Sequence, residues 1–145
     1  MKSTSEAKQF TALVLAADRG SADPVAAMAG TSCKALVPVA GIPMVCRVVG
    51  ALQDSEWIDR IVLVGPAQNL LAQDASMTQL LDSAGVGWLE PANSPSVSAA
   101  QALALQPADR PVLVTTADHA LLCREMVDYF LQHAASGGHD FVVAV

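Results

Sequence analysis

Residues 10–17, Phe-Thr-Ala-Leu-Val-Leu-Ala-Ala, form a near-continuous apolar run without the polar alternation of a half-exposed strand. A strand of that kind must be buried on both faces, which makes it a central strand of a parallel sheet. Its neighbours in the sequence repeat the theme. Apolar runs at 60–65, 86–90, 111–116 and 141–145 read as four more strands. Between them lie segments of helical period. Met44, Val45, Val48, Val49 and Leu52 share one face after Pro43, which suits a first helical turn. Residues 68–84 read as a helical region interrupted near 74–76 and stopped by Gly85. Ser94-Pro95 starts a helix reaching about residue 106, with Ser94 as its cap. Residues 124–135 place Met126, Val127, Phe130 and Leu131 inward and end at Gly137-Gly138. Strands alternating with helices predict an α/β fold: a three-layer α/β/α sandwich with a Rossmann-like, mainly parallel sheet.

At 145 residues the chain has the length of a single domain, and 52% hydrophobic content with mean hydropathy +0.40 fits a sheet covered on both faces. The apolar runs fall well short of the roughly 20 residues of a membrane span. Residues 1–9 are polar and lack the apolar stretch of a signal peptide, so the expected location is cytoplasmic. Net charge is −6 with eight Lys plus Arg residues, which argues against a nucleic-acid surface. Cys33, Cys46 and Cys123 lack Cys-x-x-Cys spacing and read as free thiols, with neither zinc nor a disulfide framework.

Because cations are scarce, their placement is informative. Arg19 and Lys34 both fall in the long small-residue loop after the first apolar run, whereas Arg47, Arg60, Arg110 and Arg124 sit at element ends or on polar helix faces. Loop backbone approaches phosphate oxygens closely, and two such cations add the charge that amides lack, so the loop suits a polyphosphate. Two common nucleotide folds are disfavoured. No Gly-x-Gly-x-x-Gly follows the first strand, Gly65-Pro66 rather than an acid ends the second, and Lys34 is not in a Gly-Lys-Ser/Thr context.

Leu15, Ala16, Ala17, Arg19 and Gly20, then Lys34, Leu36, Pro38, Val39, Gly41 and Pro43, resemble the signature of the MobA-like nucleotidyltransferases, NTP transferase domains of GT-A-like fold. A second resemblance runs from Val114 through Asp118 to Leu122, similar to the family's strand ending in a metal-binding aspartate. The resemblance implies strand order 3-2-1-4 plus a last strand, which sets the first loop beside Asp118. It implies transfer of NMP from an NTP to a small phosphorylated acceptor, such as a pterin or sugar phosphate, with release of pyrophosphate. Catalytic residues would be Lys34 at the α-phosphate or leaving group, Arg19 on the β- and γ-phosphates, and Asp118 holding Mg²⁺. Leu15, Ala16, Ala17, Asp18, Gly20 and Lys34 would form the nucleotide loop, with Gly65, Ser94 and Ser98 near base and ribose.

Each of these residues also has a plainer reading. Asp118 could be a turn or cap residue, Lys34 a solvated lysine, Arg19 a partner of Asp18 or Asp23, and Ser94 only a cap. His119 is either a second ligand or a pocket or solvent residue; Cys33 is either reactive or a quiet thiol. Two positions differ from the family pattern: Asp18 stands where glycine is usual and Cys33 where proline is. A carboxylate in a triphosphate loop repels the ligand unless its side chain points away. The family's domain is longer, so the expectation is an N-terminal part lacking the acceptor half. Its last strand would either form a homodimer through that edge or lie against the fourth strand. A non-catalytic nucleotide-binding or assembly module of the same fold is the alternative function.

Overall fold

The computed structural model describes residues 9–18, 23–83 and 85–144. Four strands, β1 (Phe10–Leu15), β4 (Ile58–Val64), β5 (Val86–Leu89) and β6 (Val112–Thr116), make one sheet in the order β5-β4-β1-β6. All three pairings are parallel, and Leu13 lies opposite Val62 on one side and Val114 on the other. Numbered by appearance among the sheet strands, this is the predicted 3-2-1-4 order. The helices are α1 (Pro24–Ala29), α2 (Met44–Gln53), α3 (Gln68–Leu71), α4 (Ala75–Asp82), α5 (Pro95–Ala104) and α6 (Arg124–Ser136).

The unbroken apolar run of β1 divides its residues between two cores. Ala12 and Val14 face α2, α4 and α6, packing with Val45, Val49, Leu63, Met77, Val127 and Leu131. Leu13 faces the opposite layer with Val62, Val64 and Ala102 of α5. Leu13 and Leu63 are fully buried. Side chains of this kind contribute about 1.5–3 kcal/mol each on leaving water. The coverage is uneven: on the α5 face, Val114 of β6 remains 47% exposed.

Local rules place the helix starts. Asp23 caps α1 by accepting from the Val25 and Ala26 amides, and Pro24 follows at the first position. Asp74 caps α4 in the same manner, which accounts for the interruption of the 68–84 region.

Three features differ from the sequence reading. Residues 141–144 adopt no strand and pair with nothing in the sheet, while Val145 lies outside the described residues. An apolar run becomes a strand only with a ladder to join, and the place expected for this one against β6 is not taken. Met126 is 57% exposed although its helical phase suggested an inward position; Val127 and Leu131 alone fill the α6 seam completely. An unpredicted two-stranded hairpin, β2 (Pro38–Val39) with β3 (Ile42–Pro43), precedes α2, turning through Ala40 and Gly41 at positive φ. Arg47 of α2 pins it by donating from Nε to the Val39 carbonyl at 2.9 Å.

Candidate phosphate and metal site at the carboxyl ends of β1 and β6

Backbone bonding continues one residue beyond the strands. The Ala16 amide donates to the Val64 carbonyl and the Ala117 amide to the Leu15 carbonyl, both at 2.9 Å. The loops that follow β1 and β6 therefore leave the sheet side by side, the position where parallel sheets bind ligands. Asp18 stands in the first loop and Asp118 in the second.

Lys34 joins them. It opens a 3₁₀ turn, Lys34–Leu36, whose preceding residue, Cys33, offers no side-chain cap. Both oxygens of Asp18 instead accept from the Lys34 amide, at 3.0 and 3.2 Å. At the other end of the residue, Lys34 Nζ lies 2.7 Å from Asp118 Oδ2. The second Asp118 oxygen accepts from the Thr116 hydroxyl at 2.5 Å. Thr116 escaped the sequence reading. The signal was a hydroxyl two residues before the strand-end carboxylate, hence on the same side of the extended chain.

The electrostatics follow from these bonds. Lys34 first, and Thr116 second, hold the Asp118 carboxyl down at about 2. The same contact raises Lys34 above its ordinary value. Burial pushes Asp18 up, opposed in part by the Lys34 amide. With side chains 36% and 41% exposed, the Lys34–Asp118 pair is in the range worth about 0–1 kcal/mol. Its interest therefore lies in position and accessibility more than in stabilisation.

The remaining predicted residues divide. Leu15 and Ala16 form the base of the first loop and Ala17 is exposed on it. Arg19 and Gly20 lie outside the described residues. Gly65 has a packing reason of its own: at φ +90°, an added Cβ would come within 2.9 Å of Ala17 Cβ and N. Ser94 caps α5 through the Val97 amide at 3.2 Å. Ser98 is buried, and its hydroxyl accepts from the Ala92 amide at 2.9 Å. His119 is exposed. Cys33 is fully buried with its thiol pushed up by burial, the state of a quiet structural cysteine.

Asp118 already holds a cation in Lys34 Nζ at an accessible strand end. A single such carboxylate suits Mg²⁺, which keeps most of its ligands for water and substrate phosphates. Among the described residues, no group of three or more His, Cys, Asp or Glu is arranged to enclose a metal. Farther along the sheet, an open groove of about 600 Å³ is lined by Gln68, Asn69, Trp88 and Glu90. Glu90 there accepts from the Gln68 amide, and the Trp88 indole donates to the Pro66 carbonyl.

The parallel sheet and its covering helices place the protein in the Rossmann-like α/β class. The chain belongs to the family of the MobA-like NTP transferase domain, which it matches over residues 12–145. A structure titled as a hypothetical transferase from Thermus thermophilus superposes with TM-score 0.63 at 29% identity, covering 87% of this chain and 47% of that one. A nucleotidyl transferase from Methanothermobacter thermautotrophicus superposes with TM-score 0.62 at 19% identity, covering 86% of this chain and 57% of its own, and shows the shared fold. The chain thus spans about half the length of these solved structures. No curated protein matches it. Among the described residues, no helix is long and apolar enough to cross a membrane.

Proposed function

We propose that the chain is a Mg²⁺-dependent nucleotidyltransferase, or the nucleotide-binding half of one, moving NMP from an NTP to a small phosphorylated acceptor with release of pyrophosphate. The observation that carries this reading is the 2.7 Å contact between Lys34 and Asp118 across the paired loops of β1 and β6. It sets one cation and one ionised carboxylate at the same accessible point of a nucleotidyltransferase-family fold.

In the reaction an acceptor phosphate oxygen bonds to the α-phosphorus as the bond to the β-phosphate oxygen breaks. Negative charge grows on the transferring and leaving oxygens. Mg²⁺, when bound, neutralises phosphate charge and orients the leaving group. Lys34 swings its ammonium from Asp118 to the phosphates, where a charge-assisted contact strengthens as that charge develops. Asp118, still accepting from the Thr116 hydroxyl, would then be free to hold the metal. Ala17, exposed on the loop, admits the phosphates to the backbone because it carries no bulk beyond Cβ. Arg19 is assigned to the β- and γ-phosphates on sequence grounds. Ser94, Ser98 and Gly65 border the base side.

The alternative is a nucleotide-binding or assembly module without turnover. Asp18 is the observation that favours it, since a third carboxylate joins Asp23 and Asp118 in the field around Lys34. Thermal-shift titration with the four NTPs, with and without Mg²⁺, tests the binding common to both. Stabilisation by an NTP that requires the metal is expected; absence of any shift with all four NTPs would contradict both. Pyrophosphate release on adding phosphorylated acceptors then separates enzyme from module.

A further inference from the structure

We infer that Asp18 is a positioning residue that sets Lys34 for phosphate, and is not a misplaced charge in the nucleotide loop. This rests on the nucleotide-binding reading of the same site. Asp18 lies at the exit of β1, and the chain leaves it for 16 residues before Lys34 returns to its carboxylate. Both oxygens converge on one amide, the first of the 3₁₀ turn that Lys34 opens. That amide has no intrahelical partner, and Cys33, whose side chain is wholly buried, does not cap it. A residue from a separate loop thus performs the capping that the local sequence omits.

The consequence concerns the other end of the lysine. Its four-carbon stem has rotamer freedom, so the reach of Nζ is defined only if the backbone beneath it is fixed. Asp18 fixes that backbone against the end of β1, while Asp118 receives Nζ from the end of β6. Lys34 is therefore anchored to two neighbouring strands, and phosphate has only to replace the contact at Nζ. The Asp18 oxygens, engaged on the amide, need not be displaced.

A role exercised through Lys34 differs measurably from repulsion and from general loop closure. The test is a double-mutant cycle on NTP affinity, read by calorimetry with whichever NTP stabilises the wild-type chain in Mg²⁺. Asp18→Ala is expected to weaken binding about five- to tenfold when Lys34 is present, and to add less than about twofold in the Lys34→Ala background. Asp18→Asn, whose side-chain oxygen still accepts from the amide, should recover most of the loss and guards against a misfolded alanine variant. Unchanged or tighter binding by Asp18→Ala would overturn the inference and show the carboxylate to be neutral or repulsive. So would an equal loss in both backgrounds, which marks loop closure alone. If the wild-type chain binds none of the four NTPs, the reading of the site itself falls, and the inference with it.

Discussion

The two sides of the candidate site are held together by different kinds of contact. On the β1–β6 side, polar groups reach across the chain: Asp18 to Lys34 over 16 residues and Lys34 to Asp118 over 84. On the side proposed for the base, Ser94 and Ser98 bond to amides three and six residues away. Local bonds of the second kind are the ordinary work of helix caps and loop ends, and need no ligand to explain them. The first kind arranges charged groups at an accessible strand end where the pair itself stabilises little. On the proposed reading, the contrast separates charged groups set for phosphate from hydroxyls whose bonds the fold alone explains.

Substitutions can break or sharpen that contrast. The largest effect is expected from Lys34→Ala, which removes a charge-assisted phosphate contact worth about 1.5–3 kcal/mol. NTP affinity by calorimetry should fall about ten- to a hundredfold, with the denaturation midpoint little changed. Asp118→Asn should make NTP binding insensitive to Mg²⁺ while the fold persists by circular dichroism. Ser98→Ala should show the opposite profile. It leaves the Ala92 amide without its buried acceptor and should cost about 1–3 kcal/mol in urea denaturation. Ser94→Ala removes a cap worth about 1 kcal/mol, and is expected to leave the affinity for phosphate groups unaltered. Should either serine variant lose NTP affinity as severely as Lys34→Ala, the division between the two sides would fail.

The smallest effect is in the acid limb of stability. Asp118, held at about 2 against an ordinary 3.8, contributes stability that is complete above its unfolded value and lost as pH falls toward 2. Solvent screening at this exposed pair keeps the contribution below about 1 kcal/mol. Asp18, raised by burial, acts in the opposite sense. Urea midpoints measured from pH 5 to pH 2, as about the span of carboxylate titration, should therefore fall less steeply in Asp118→Asn than in the wild-type chain.

The fold was legible where burial demands a pattern. Uninterrupted apolar residues marked β1 as central, and the Ser94-Pro95 pair marked a helix start that the structure retains. Lys34 and Asp118 were legible because cations are few and because a carboxylate follows an apolar strand. The rest depended on tertiary placement. The hairpin before α2 turns through Ala40 at φ +49°, a conformation for which alanine gives no sequence signal. Gly65 was singled out by its resemblance to a nucleotide-contacting position, and only the folded chain showed that its missing Cβ also makes room for Ala17. The apolar segment at 141–144 could not reveal that, among the described residues, it joins no ladder of the sheet. Asp18 was visible as a departure from the family pattern, yet its target amide could be seen only once the loop had folded back.

The most direct test of the central claim is a crystal structure with Mn²⁺ and a non-hydrolysable analogue of the NTP that stabilises the chain. The account predicts an anomalous peak at the Asp118 carboxylate, the triphosphate on the loop after β1, and Lys34 Nζ moved from Asp118 to a phosphate oxygen. An analogue seated elsewhere, with the 2.7 Å Lys34–Asp118 contact intact, would contradict it.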